Sequence, residues 1–369
     1  MKRILVTVLL LIITNSIFCQ SKTCWPNFRG NQELSGKTDI KLPNKLKLIW
    51  SDTTSDMIKG SPVICNNAIY IGSYDGAVYS FSLNGKRNWK FQTETSFEAS
   101  PLFLNNTIYI GNMEGIVYAL NAKTGKEKWQ YKTDGRILGA AGWANTSDKK
   151  NQQILVGSYD FFLHSINAKT GKATWKYEAD NYINGAPATN DKVAVFGGCD
   201  GLLHMVDVTT GKRTDTLDIG TYIASSCALE NDKAYFGNYD GIFYCANMKT
   251  KKIEWTFEGT TPFLASPAIS GKMVITASEN RNVFCFDKNT GKQIWKFKTG
   301  GKIDGSPVIA NDKVLIASGD GVIYMLNLKD GKKIWSYEIG SAIAGTPAVI
   351  KNMVIIGATD GKVYAFGPK

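Results

Sequence analysis

The chain has 369 residues, 43% of them hydrophobic and 20% charged, with a formal net charge of +11 at pH 7. That composition excludes a disordered or collagen-like chain, and the length allows a large core. The basic balance points towards anionic surfaces, but without the aromatic–basic interleaving that grips nucleic acid, so no nucleic-acid partner is expected.

The first element is MKRILVTVLLLIITNSIFCQ, with Lys2 and Arg3, an apolar run from Ile4 to Ile13, then polar residues and a cut site after Cys19. It reads as a secretory signal peptide over residues 1–19. Phe18 stands where acylation of Cys19 needs a small residue, so a lipid anchor is not expected. No later apolar run reaches the ~20 residues of a membrane span. The expectation is an exported protein, periplasmic or extracellular, soluble after cleavage. Without residues 1–19 the formal charge is +9, and six cysteines remain: Cys24, Cys65, Cys199, Cys227, Cys245 and Cys285. An oxidising compartment permits disulfides. Their spacing shows no compact framework and no CxxC metal pattern, and leaves the pairing open.

Residues 20–45 form a leader, and from Leu46 the chain repeats. A Trp or its substitute stands at Trp50, Trp89, Trp129, Trp175, Asp215, Trp255, Trp295 and Trp335. A turn residue recurs at Asp75, Glu114, Asp160, Asp200, Asp240, Asn280, Asp320 and Asp360. A third series runs Pro62, Pro101, Ala141, Pro187, Cys227, Pro267, Pro307 and Pro347. Steps are 39 or 40 residues, except for one of 46, whose six extra residues lie between Ala141 and Asp160, where WANTSDKKNQQ sits. Repetition at this period marks a solenoid, propeller or array.

Each unit holds four short strand signals; in the second they are ASPLFL, TIYIG, IVYALN and EKWQYK. They are rich in β-branched and aromatic residues, separated by turns at Asn105-Asn106, Glu114-Gly115 and Thr124-Gly125. No amphipathic helix pattern of useful length appears. Four antiparallel strands per ~40 residues, repeated about an axis, describe an all-β, eight-bladed β-propeller over residues 46–369. Trp50 precedes the first complete unit, and the last unit ends at Phe366 without a Trp strand. LKLIW is therefore predicted as the outer strand of the C-terminal blade, closing the ring and covering its edges.

The phrase NAKTGKEKWQY recurs as NAKTGKATWKY. Its Gly supplies the backbone freedom of the turn between the third and fourth strands. The Trp four residues later is predicted to lie across the turn of the neighbouring blade, as Trp50, Trp89, Trp129, Trp175, Trp255, Trp295 and Trp335 in turn. Burying such a ring is worth a few kcal/mol.

These residues carry a family resemblance. Ala119…Thr124-Gly125-Lys126…Trp129 resembles the eleven-residue tryptophan-docking motif of the pyrroloquinoline quinone (PQQ) type propellers, and Ser165…Trp175, Cys285…Trp295 and Met325…Trp335 follow it closely. The resemblance covers roughly residues 46–366 and departs from the motif at Gly85, Asp215 and Lys251. The family includes quinoprotein alcohol dehydrogenases and non-catalytic propellers such as the outer-membrane protein assembly factor BamB. The dehydrogenases add an adjacent Cys-Cys pair and long insertions that carry calcium ligands and a catalytic Asp. This chain has no adjacent cysteines and almost no insertions. No catalytic residue, cofactor or metal is therefore assigned.

Other chemistry is equally thin. His164 and His204 hold the same position on adjacent units, on the order of 12 Å apart given ~10 Å sheet packing, too far to share a metal ion. They read as packed residues. DKNTG, at Asp287–Gly291, resembles the start of a calcium loop but is a docking turn.

Two faces remain. Around one mouth of the channel the residue following each inner-strand opening varies, and Lys59, Glu98, Asn184 and Asp304 are candidate ligand contacts there. The turns on the same face carry Tyr74, Met113, Tyr159, Phe161, Phe162 and Tyr239, a candidate rim for a protein partner. The opposite face is expected to carry a lysine ring: Lys86, Lys126, Lys172, Lys212, Lys252, Lys292 and Lys332. The expected function is a non-catalytic exported scaffold or adaptor in the cell envelope, with a BamB-like role in outer-membrane protein assembly. The alternatives are a PQQ-dependent oxidoreductase, or a carbohydrate- or small-ligand-binding module using the channel mouth.

Overall fold

The computed structural model describes residues 23–146, 151–223 and 225–368. The expected signal peptide lies outside them. Every regular element among the described residues is a β-strand. Seven consecutive blades span residues 63–92, 102–132, 142–178, 188–218, 228–258, 268–298 and 308–338. Blade 8 takes three strands from residues 348–367 and its outer strand from Lys47–Thr53, which runs antiparallel to Lys362–Gly367 with Leu48 opposite Phe366. The two ends of the chain thus close the ring, as the offset of the repeats predicts.

Burial follows position within a blade. In blade 2, every residue of Thr107–Gly111 is buried, because sheets pack on both of its sides. In the outer strand, Glu127–Lys132, only Trp129 and Tyr131 turn partly inward. Asn105 and Asn106 take φ of 50° and 55°, which a two-residue hairpin turn requires and Asn tolerates.

Adjacent blades are joined by the tryptophans. A Cβ on Gly171 of blade 4's predecessor, blade 3, would lie 2.7 Å from the indole of Trp129 in blade 2. The Trp129 indole N–H donates to the Ala168 carbonyl at 3.1 Å. Trp50, Trp89, Trp175, Trp255 and Trp295 repeat the arrangement on Gly85, Gly125, Gly211, Gly291 and Gly331. Trp335 meets Phe366 of blade 8 edge to face.

A second joint lies at the turn aspartates. Asp160 accepts the Phe162 N–H within its own turn, His164 Nε2 at 2.9 Å, and the Asp134 N–H from the preceding blade's loop. His164 Nδ1 meets the hydroxyl of Tyr131, also on the preceding blade. Asp200, His204 and Tyr177 repeat this one blade on. In blades 1, 7 and 8 a tyrosine replaces the histidine and donates directly: Tyr79 to Asp75, Tyr324 to Asp320 and Tyr364 to Asp360. The two histidines are fully packed, and their aspartates are committed to holding blades together.

The leader has a role the sequence reading did not assign. It crosses the centre of the ring, touching inner strands of successive blades. Trp25 pairs with Ile64, and Cys24 is disulfide-bonded to Cys65 in blade 1. Carbonyls of Pro26, Gln32, Glu33, Ser35 and Gly36 accept N–H groups from Phe103, Thr189, Leu229, Ile269 and Ile309. Lys37–Thr38 then adds a short parallel strand to blade 7. At the centre, Arg29 is fully buried and donates to the carbonyls of Pro267 and Pro307 at 2.7 and 2.6 Å. Burial lowers its pKa to about 9. Gly36 has φ +63° and a Cβ there would lie 2.0 Å from Arg29 Nη2, so only glycine fits.

Candidate functional site

Because each inner strand begins at the mouth and the leader runs across its middle, the channel is a cup rather than a through-pore. The cup encloses about 630 Å³, and the ring of Phe28 from the leader lines it. Its wall is built from small residues. A Cβ on Gly139 would fall 2.8 Å from the Asn184 and Gly185 carbonyls of the next blade, so the crowded inner ring demands glycine there. Just below the lip, hydroxyls link blades: Ser61 accepts the Thr346 N–H at 2.9 Å, and Ser306, Ser266 and Ser226 continue the series.

The four candidate mouth residues all line this cup. Lys59 and Glu98 approach to 3.8 Å, and Lys302 and Asp304 to 3.1 Å. Lys59 also lies 4.7 Å over the Tyr74 ring, and the Tyr74 hydroxyl donates to Glu98. Contact with Tyr74, then the charges of Glu98 and Asp304, raise the Lys59 pKa against the effect of burial. Opposite them, Asn184 donates to Cys199 Sγ at 3.0 Å, leaving its buried Oδ1 without a donor. Burial pushes the Cys199 thiol up, which keeps it protonated.

This donor set does not fit a calcium–quinone pair. A hard cation of that kind needs six to eight oxygen ligands. Glu98 and Asp304 are each engaged by a lysine, and no cluster of three His, Cys, Asp or Glu side chains suited to a metal occurs among the described residues.

The candidate partner rim divides. Tyr74 and Met113 are only partly exposed, and Tyr74 is tied into the mouth. Around blades 3 to 5 the aromatics stand out. Phe161, Tyr182, Tyr222 and Tyr239 are 39%, 41%, 51% and 53% exposed, four of the seven large exposed hydrophobic residues among the described ones. Tyr159 stacks on Tyr182 at 4.4 Å, the Arg136 guanidinium lies 4.4 Å over the Tyr159 ring, and Phe161 is 5.2 Å from Tyr182. Phe162 lies beside His164 and under Lys176. Tyr222 and Tyr239 form the next pair at 6.3 Å. Tyr182 and Tyr222 belong to the loops between blades, whose lengths repeat but whose residues do not. Both stand one residue before an isoleucine, Ile183 or Ile223, and six before the inner strands that begin at Ala188 and Ala228.

Two family models match the chain: one described as the β-propeller of the beta-alanine-activating enzyme, over residues 139–368, and one as the glucose/ethanol/alcohol dehydrogenase β-propeller domain, over residues 78–197. No curated protein matches it. Among solved structures, BamB from Moraxella catarrhalis is 21% identical with a TM-score of 0.75, covering 88% of this chain and 98% of its own. A europium-containing methanol dehydrogenase is 13% identical with a TM-score of 0.78, covering 95% and 99%. The quinohemoprotein alcohol dehydrogenase from Comamonas testosteroni is 12% identical with a TM-score of 0.79, covering 94% and 80%. These likenesses carry the fold. With eight blades and indoles laid over the neighbouring blades' glycines the fold is that of a PQQ-like β-propeller, and the match over residues 139–368 shows that the chain belongs to the family described as the β-propeller of the beta-alanine-activating enzyme.

Proposed function

We propose that this protein is a non-catalytic, exported propeller that acts as a protein-binding scaffold in the cell envelope, with the aromatic rim of blades 3 to 5 as its partner site. One observation carries the reading. Phe161 occupies a turn position that is glycine in six of the eight blades, and it holds φ at +75° while its ring stands exposed. A bulky residue in that region stores strain on the order of 1–3 kcal/mol, and such strain concentrates at functional sites. The fold likeness to BamB supports a scaffold in outer-membrane protein assembly. The Cys24–Cys65 disulfide supports an oxidising compartment. The test is chemical cross-linking in envelope fractions of the source organism, comparing the wild type with Phe161→Ser and Tyr182→Ser. A discrete partner cross-linked by the wild type and lost in both variants, at unchanged melting temperature, is the expected result. Equal cross-linking by all three proteins would remove the rim from the reading.

The cup favours a second reading, a site for a small neutral polar ligand such as a sugar. Its paired charges, its aromatic Phe28 wall and the donor-less Asn184 Oδ1 support it. Saturable binding abolished by Glu98→Ala or Asp304→Ala is the result that would carry this reading.

A further inference from the structure

The two faces of the ring carry opposite charge. All seven lysines of the turn ring are exposed, and four more, Lys123, Lys169, Lys249 and Lys329, stand beside them in the same turns. Of these eleven, only Lys332 lies within ion-pairing reach of a carboxylate among the described residues, 3.7 Å from Asp330. On the mouth face, the same repeat places an acid at seven of the eight turn positions, and the outer strands end there in exposed Glu178, Asp218, Glu258 and Glu338. The net positive charge is thus sorted along the ring axis, basic at one end and acidic at the other.

We propose that the lysine face seats the protein on an anionic phospholipid bilayer, holding the cup and the aromatic rim away from the membrane. This rests on charge placement and is independent of the partner assigned to the rim. The lysines occupy equivalent positions of successive blades, so they lie at one height around the ring and meet a flat sheet of headgroups together. Juxtamembrane lysines are drawn to such a surface within a Debye length. A linear polyanion suits the face less well. The exposed aromatics among the described residues, on which bases or sugars would stack, are on the other face, and the remaining large exposed hydrophobic residues, Ile49, Ile253 and Ile294, are aliphatic residues of the outer strands. The acidic mouth face is repelled by the same bilayer, which fixes the orientation.

The experiment is co-sedimentation of the purified protein with phosphatidylcholine vesicles, with and without phosphatidylglycerol, at low and at physiological salt. Binding is expected only with phosphatidylglycerol and weakens with salt. Lys126→Glu combined with Lys172→Glu should reduce it by roughly tenfold or more. Lys132→Glu with Lys298→Glu, an equal charge change on exposed mouth-face residues, should leave it nearly unchanged. No binding at low salt would overturn the proposal. Equal loss in both double variants would also overturn it, since net charge rather than a face would then be responsible. Tight binding to dextran sulfate without vesicle binding would replace the bilayer with a soluble polyanion.

Discussion

Asp215 and Lys251 form an ion pair across the seam between blades 4 and 5, at the two positions that elsewhere hold a docked tryptophan and its glycine. The two departures from the repeat are one event. Without an indole to receive, the turn no longer needs a bare backbone, and Lys251 takes the glycine's conformation at φ +59°. The exchange replaces a buried ring with a largely exposed ion pair, which contributes about 0–1 kcal/mol.

That makes this seam the weak one. Asp215→Trp alone should destabilise the protein, because the Cβ of Lys251 would occupy the space of the new indole; at the intact seams the corresponding Cβ would come within 2.6–2.8 Å of the ring. Asp215→Trp with Lys251→Gly should restore the seam and raise stability by about 1–2 kcal/mol, a part of what a packed Trp contributes. Chemical denaturation of the two singles and the double variant gives the coupling directly. Additive effects would show that the seam does not work as one unit.

Phe161→Gly tests strain against use. Gly adopts the observed φ of +75° without penalty, as it does at Gly76 and Gly201 in the same position. The variant should gain about 1 kcal/mol in a denaturant melt and lose the cross-linked partner. A loss of stability would mean that the exposed ring is packed more firmly than its surroundings show.

The blades were legible in the sequence because each is held by side chains at fixed repeat positions: the Trp, the turn Gly, the turn Asp and the inner-strand small residues. The spacing of Asp160 to His164 and Asp75 to Tyr79, four residues in each case, was also there to be read as a joint. It is hard to read as one, because the pairing crosses one turn of a hairpin rather than a helix. The leader was illegible for a different reason. Its carbonyls meet inner-strand amides, and backbone groups leave no mark on residue type except where Arg29 and Gly36 must interlock. The rim was half legible: the turn aromatics repeat in register, whereas Tyr182 and Tyr222 lie in loops.

The Asp160 joint predicts an acid limb. Burial alone would raise the Asp160 pKa, but the hydrogen bond and charge of His164, with the backbone donors of Asp134 and Phe162, bring it down to about 2. A carboxylate whose pKa is lower in the folded state stabilises at pH above its unfolded value near 4, and that contribution disappears as pH falls towards 2. Asp160→Asn should therefore lose about 2 kcal/mol at neutral pH and show a flatter decline between about pH 4 and pH 2 than the wild type. Parallel acid limbs in the two proteins would remove Asp160 from the pH dependence.

The disulfide predicts what the leader is worth to the ring. Cys24–Cys65 closes a loop between positions 41 residues apart and ties the start of the leader to the inner strand of blade 1. Cross-links of this span typically contribute about 2–4 kcal/mol. Reduction of the wild type should lower its melting temperature, and Cys24→Ser with Cys65→Ser should melt at that lower temperature with or without reductant. The four remaining described cysteines are free, so reductant has no other bond to break among them. Beyond Trp25 the leader is still held by carbonyl contacts from Pro26 to Gly36 and by buried Arg29. The double variant should therefore keep a single cooperative transition. Arg29→Ala should be the more damaging change, since it leaves the Pro267 and Pro307 carbonyls without their donor in the centre of the ring. If the double variant melted lower than Arg29→Ala, the covalent tie rather than the buried guanidinium would be what holds the leader across the channel.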